Sequence, residues 1–313
     1  MKKHAVYQAA VLIFFAAILL NCHDKSGIVE KYKLVGMLEV FSCPKGVAVD
    51  TSGNIYVTDR SEDYILNYEP HGRLVNKWGV WGSSHGEFQD YPRGIVVDAS
   101  GNVYVADKGN DCIQKFSSSG KFITSWGTSG TDDGQFYYPL GMAIDSLGNI
   151  YVADSLNDRI QKFSSTGAFI AAWGSTGRKN GQFNDPHDVA VDASGNIYVA
   201  DTGSCRIQKF SSEGVFITKW GYSGKEDGEF KYPEGVAADH SGNVYVTDSL
   251  NNRVQKFTSA GRLITKWSSS GEEDGDFKNP EGIVVDASGN VYISDYGHNR
   301  VLIFSSATST ASR

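Results

Sequence analysis

Cysteine is scarce: Cys22, Cys43, Cys112 and Cys205 are the only four in 313 residues. None forms a Cys-x-x-Cys pair, so neither a disulfide framework nor a zinc-ligand spacing is written in the chain. Past Cys22 three remain, so at most one pair can form, and whether Cys43, Cys112 and Cys205 pair at all stays open. Positive charge is also short. Lys and Arg number 29 against 36 Asp and Glu, a formal charge of −7. Affinity for nucleic acid rests on neutralising phosphates, so a chain this acidic is not read as a nucleic-acid binder. The apolar run Ala5–Leu20 has 16 residues, fewer than the roughly 20 a membrane-spanning helix needs. No glycine-rich phosphate loop is present, nor a serine or cysteine nucleophile with a placed base. Proline is limited to seven, and six of them recur at a near-constant interval. Glycine is plentiful at 35, and aromatics make up 12% of the chain.

One phrase accompanies those prolines. In its fullest form it reads Pro-x-Gly-Val-x-Val-Asp-x-Ser-Gly-Asn-Ile-Tyr-Val-x-Asp-x-x-Asn-x-Arg-Ile-Gln-Lys-Phe. Its copies begin at Pro44, Pro92, Pro139, Pro186, Pro233 and Pro280, every 47 or 48 residues. A fixed period of this length marks a repeat architecture. A residue present in every copy builds the copy, so function is sought where the copies differ.

The third copy shows the local logic. Gly141–Asp145 is a short apolar run closed by an acid. Ser146–Asn149 is turn chemistry, with Gly148 supplying a positive φ. Ile150–Asp154 is β-branched and aromatic, a second strand. After a turn at 155–158, Arg159–Phe163 alternates polar and apolar as a half-exposed strand does. A further turn leads to a fourth strand over 168–173. Each copy is thus a four-stranded antiparallel meander, with strands a to d. Six arranged radially make an all-β six-bladed propeller, which protects its sheet edges by closing.

The last copy ends after strand c at Phe304, and the Ser/Thr-rich tail 305–313 offers no fourth strand. Residues 31–36 fit the d-strand pattern, with Val35-Gly36 where other copies have Trp-Gly. They are expected to complete the last blade and clasp the ring. The domain then spans 31–304.

The first 21 residues stand apart. Lys2 and Lys3 precede an apolar run of signal-peptide length. Leu19-Leu20-Asn21-Cys22 resembles a bacterial lipobox, with Asn21 where a small residue usually stands. Cys22 is then the lipidation site, 22–30 a short tether, and the mature chain a lipid-anchored protein of the bacterial envelope, outside the cytoplasm. Acyl chains in combination anchor stably. Loss of 1–21 removes two lysines and no acid, which leaves a charge of −9.

The repeated phrase resembles the NHL repeat, over residues 31–304. The resemblance implies a six-bladed propeller. It also implies several functional classes: exported sensor and binding domains, eukaryotic RNA-binding or ligase-linked modules, and a branch similar to metal-dependent peptidyl-hydroxyglycine lyases. In that branch metal is held by histidines from several Pro-His positions. Pro186-His187-Asp188-Val189 matches that pattern, while the equivalent slots carry Lys45, Arg93, Leu140, Glu234 and Glu281. One histidine does not make a three-ligand zinc site, so His187 is a weak metal candidate.

Two aspartates recur in every copy. Asp50, Asp98, Asp145, Asp192, Asp239 and Asp286 end strand a. Asp59, Asp107, Asp154, Asp201, Asp248 and Asp295 end strand b. Both sets are read as turn-fixing acceptors of backbone N–H groups. The strand-c arginines, such as Arg159, and the strand-d tryptophans, such as Trp173, are read as packing. The acidic loops at Asp132-Asp133, Glu226-Asp227 and Glu272-Glu273-Asp274 offer too few oxygens for calcium and are read as solvated turns.

Copies disagree most just after the proline, at Lys45, Arg93, Leu140, His187, Glu234 and Glu281. These open the innermost strand and should ring the channel mouth, with Asp188 beside them. The mouth is either internally paired, Glu281 with Lys45, or polarised for a ligand of both charges. Three functions follow: a non-catalytic monomeric module that binds protein, peptide or glycan and needs no cofactor; a zinc- or calcium-dependent lyase or hydrolase; or a structural part of an envelope assembly.

Overall fold

The computed structural model describes residues 30–39, 41–268 and 277–308. Among them are six four-stranded antiparallel sheets, each a simple meander except the last. Blade 3 is typical: strands Pro139–Ile144, Ile150–Asp154, Arg159–Phe163 and Phe169–Trp173. The first strands of the other blades open at Pro44, Pro92, Pro186, Pro233 and Pro280. Strand a of each blade lies against strand a of the next, and blade 6 returns to blade 1, so the ring is closed. No helix among the described residues is long and apolar enough to cross a membrane.

Blade 6 is completed from the N-terminus. Glu30–Leu38 pairs antiparallel with Arg300–Thr308. Its register differs from the sequence expectation. In blade 3 Trp173 pairs Ile160, and in blade 6 Leu38 pairs the equivalent Val301. Leu38 therefore fills the tryptophan slot, while Val35 sits exposed at a bulge between Leu34 and Gly36. The cause is a shortened connection: Phe41 follows Leu38 by three residues, whereas Phe183 follows Trp173 by ten. The tail also differs, because strand c of this blade continues through 305–308.

The core is a set of seams between blades. In one, Tyr151, Ala153 and Ile160 of blade 3 pack on Phe183, Ile197, Val199 and Phe210 of blade 4. Burial of such side chains contributes roughly 1.5–3 kcal/mol each. The outer-strand tryptophans stitch neighbours together. A Cβ on Gly167 would meet the Trp126 ring at 2.7 Å, so glycine in that turn, at φ +85°, admits the indole of the preceding blade. Trp267 faces the clasp instead, where Tyr32 stacks on it at 4.1 Å.

The strand-a aspartates act as expected. Asp145 Oδ1 accepts the N–H groups of Leu147 and Asn149 at 2.9 and 2.8 Å, while Oδ2 accepts Asn149 Nδ2 and the Tyr151 hydroxyl. The strand-b aspartates do something else. Asp154 accepts the N–H of Tyr137 at 2.8 Å, from the connection that enters the blade. Arg159 donates to Asp154 and to the carbonyls of Thr131, Asp132 and Gln135 on that connection. The buried carboxylate and its arginine thus tie the incoming loop to the sheet, which is what sets the position of the residues around the mouth.

Candidate binding site at the channel mouth

The structure places Lys45, Arg93, Leu140, His187, Glu234 and Glu281 around one cavity on the face of the long connections. They separate a funnel of about 440 Å³ from an inner channel of about 280 Å³ lined largely by Val, Ala, Ile and Gly of the strands a.

Their charges are spent on one another. Lys45 Nζ pairs with Glu281 Oε1. Arg93 crosses the channel from blade 2 to Glu281 of blade 6, at 2.7 Å, and also pairs with Glu234 of blade 5. Glu234 Oε2 lies 2.9 Å from His187 Nδ1, and His187 Nε2 lies 3.0 Å from Asp185 Oδ2. Ser155 Oγ donates to Asp185 at 2.5 Å. The result is a continuous latch over the channel. Its members are 6–15% exposed from Lys45 through His187, and only Asp185, at 39%, opens widely to solvent.

Burial and the Arg93 charge lower the Lys45 pKa to about 8, against the pull of Glu281. Burial acts to raise Glu281, but Arg93 and Lys45 outweigh it and hold its carboxyl below the usual range. Both partners are therefore ionised at neutral pH. Burial lowers the His187 pKa, with the Asp185 bond opposing. Asp188 is no part of the latch. It stands where five blades have glycine, faces the channel, and accepts the N–H groups of Val189 and Val236 at 2.9 Å each. Burial outweighs those bonds and pushes its carboxyl up to about 7.

The residues do not fit the metal centre that the lyase branch implies. Both ring nitrogens of His187 face carboxylates, so neither is directed at open space. His298 bonds Asp295, and His85 stacks on Phe122 of the outer strand. Among the described residues no three or more His, Cys, Asp or Glu are grouped so as to hold a metal ion. Cys43, Cys112 and Cys205 are half-buried free thiols. Cys22 and Glu272-Glu273-Asp274 lie outside the described residues.

The funnel is also lined by a second ring that the sequence reading missed, most of it half-buried. Tyr91, Tyr138 and Tyr232 precede their prolines, and Arg60, Lys108 and Tyr296 follow the strand-b aspartates. The three tyrosines hold φ of 61°, 59° and 70°, a region rare for non-glycine residues. The N–H groups of Tyr91 and Tyr138 are gripped by Asp63 and Asp111 of the preceding blades, at 3.1 and 2.8 Å. Asp185 and Asn279 hold the same conformation in the equivalent slot, at φ 54° and 53°, so the left-handed turn belongs to the repeat and only the side chain varies. Arg60 lies 4.2 Å over the Tyr91 ring, and Lys108 is 4.5 Å from Tyr91 and 4.4 Å from Tyr138. The available signal was variation between copies at these two positions, the same signal that marked the inner ring.

The chain belongs to the NHL repeat family, whose model matches residues 41–63, 90–116, 136–163, 183–210, 230–257 and 277–304. Among curated proteins none matches the sequence. Similar solved structures include a gluconolactonase from Xanthomonas campestris, with a TM-score of 0.68 at 12% identity, covering 96% of this chain and 98% of that one. A catalytically inactive virginiamycin B lyase from Staphylococcus aureus with quinupristin gives 0.62 at 13% identity, covering 90% and 89%. A streptogramin B lyase gives 0.61 at 14%, covering 88% and 98%. At these identities the likeness is one of fold.

Proposed function

We propose that this protein is an exported, lipid-anchored binding module that takes its ligand in the funnel without chemically transforming it. The observation that carries this reading is the division of the mouth into two rings. Lys45, Arg93, His187, Glu234 and Glu281 are no more than 15% exposed and are paired with each other, and Asp185 alone of the latch opens to solvent, while Arg60, Tyr232, Leu156 and Leu250 give the funnel its more open wall. A general base needs access to the proton it removes, and His187, Glu234 and Glu281, each about a tenth exposed or less, have their polar atoms engaged within the latch. The Lys2-Lys3 leader and Cys22 support the envelope location, where the ligand would be met.

The second reading, a lyase or hydrolase, draws support from catalytic propellers of the same fold. A photo-crosslinking side chain at Leu250 in the funnel and another at Ile170 on the outer strand of blade 3 separate the cases in intact cells. Adducts from the Leu250 position alone are expected. Adducts from the Ile170 position alone would move the interface off the mouth and favour a structural role in an assembly. Recovery of the ligand in cleaved form after incubation with pure protein would favour the enzyme.

A further inference from the structure

We propose that the face opposite the funnel rests on an anionic lipid bilayer, so that the mouth points away from the membrane. This rests on the reading of Cys22 as a lipid anchor and adds which way the wheel is held.

The a–b and c–d turns of a blade lie side by side. A Cβ on Gly53 would meet Pro70 at 3.1 Å, and one on Gly148 would meet Ser165 at 3.7 Å. Strand a runs from its proline at the mouth to the a–b turn, over six residues in each blade. A strand of that length spans roughly 20 Å, so the turns form a far face of their own. The clasp strand starts at that face. Leu38 pairs Val301 near the mouth, whereas Leu34 pairs Phe304, which itself pairs Val291 just after an a–b turn. Pairing then continues from Lys33 with Ser305 to Glu30 with Thr308. The hydroxyls of Tyr32 and Tyr245 share a hydrogen bond of 2.9 Å, and Tyr245 donates to Asp239 at 3.0 Å, at the a–b turn of blade 5. The chain before Glu30 therefore joins the wheel on the far face.

Cys22 precedes Glu30 by eight residues, a reach of about 29 Å at full extension. The clasp strand rises about 26 Å from Glu30 to Leu38. Bringing the mouth to the bilayer would use almost the whole reach of the tether along the side of the wheel. Bringing the far face there uses almost none of it.

The far face suits that neighbour. Leu147 is 85% exposed in an a–b turn. The other copies have Ser52, Ser100, Ser194, Ser241 and Ser288 at that position, so the turn does not require an apolar side chain. An apolar group on a membrane-facing surface enters the boundary between headgroups and acyl chains. Among the described turn residues of this face, the exposed charges are Arg73, Lys121 and Arg262 against Glu213, on a chain whose overall charge is −7. The strand-a aspartates of the same face are half-buried or buried, and each accepts a tyrosine hydroxyl of its own blade. Surface cations are drawn to anionic headgroups.

The test uses the full chain, acylated in a lipoprotein-processing bacterial host and inserted into vesicles of phosphatidylethanolamine and phosphatidylglycerol. Flotation with the vesicles, lost in Cys22→Ser, reads the anchor by itself. Orientation is read separately, from a fluorescent side chain placed singly at Leu147, Ser194 or Leu250 and a nitroxide quencher on the lipid headgroup. The labels at Leu147 and Ser194 should lose most of their emission, and the label at Leu250 should keep its own. Lys121→Glu with Arg262→Glu should relieve the quenching at Ser194 and leave the melting temperature unchanged. Quenching at Leu250 alone would turn the wheel over and overturn the proposal. Equal quenching at all three positions, or none, in a chain that floats would overturn it as well, because no one face would then rest on the bilayer. Quenching that survives the double variant would overturn the preference for anionic lipid. Failure to float would overturn the anchor and this proposal with it, and the crosslinking at Leu250 decides separately whether the funnel binds a ligand.

Discussion

Replacing Arg93 with methionine tests the latch on which the functional reading depends. The guanidinium is 15% exposed and neutralises two carboxylates that are themselves 6% and 10% exposed. Its removal leaves Glu234 with His187 and Glu281 with Lys45, each in a site built for one more positive charge. Removing one partner of a buried pair costs about 3–5 kcal/mol, because the stranded charge keeps its desolvation penalty. For a domain of this size that is about 2 °C per kcal/mol, so the melting temperature should fall by about 6–10 °C at neutral pH. The pH dependence supplies a sharper signature. In the native protein the Glu281 pKa is lowered, so its contribution is present above the unfolded pKa and lost as pH falls through the folded one. Without Arg93 the carboxyl rises, and protonation relieves the strain. The deficit of Arg93→Met should therefore shrink between pH 7 and pH 5. The quadruple variant Lys45→Met, Arg93→Met, Glu234→Gln and Glu281→Met removes the charges together and should recover most of the loss. Scanning calorimetry across pH reads all three. A melt of Arg93→Met within 1 °C of wild type, or a deficit that grows on acidification, would refute a buried ionised latch.

Other perturbations probe other links. Tyr32→Ala removes the ring stacked on Trp267 and should cost about 3–5 kcal/mol in urea unfolding, while Tyr32→Phe loses the hydroxyl bond to Tyr245 and should cost about 1 kcal/mol. A loss below 1 kcal/mol for the alanine would mean that the clasp does not close the ring. Gly167→Ala places a methyl against Trp126 at φ +85° and should cost about 2–4 kcal/mol; a neutral result would show that the indole moves freely. Asp188, pushed up to about 7, contributes stability that is present at low pH and lost as pH rises towards 7. Asp188→Asn should flatten that part of the stability–pH curve, and an unchanged slope would assign the dependence elsewhere.

Much of the architecture was legible because the signals are local. Turn glycines, the Asp145-type acceptors and strand alternation act within a dozen residues, and six copies average out the noise in any one. The clasp was visible as a missing strand, yet its register was not. Whether Val35 or Leu38 fills the tryptophan slot depends on how short a connection the ring will close over, which is a property of the assembled blades. The strand-b aspartates likewise looked like turn acceptors, and it is their burial that lets them take the N–H of an incoming loop 17 residues upstream.

The mouth divides in the same way. Position after the proline identifies Lys45, Arg93, His187, Glu234 and Glu281 as one ring, since the period puts equivalent residues at equivalent radii. Nothing in the period says that Arg93 reaches past its neighbours to blades 5 and 6, because that contact depends on side-chain length against channel width. The same closure consumes the inner charges and leaves Arg60, Tyr91, Leu156 and Leu250 on the wall of the funnel. A linear repeat specifies the wheel through short-range chemistry; partners separated by 141 to 236 residues meet only once the wheel has closed.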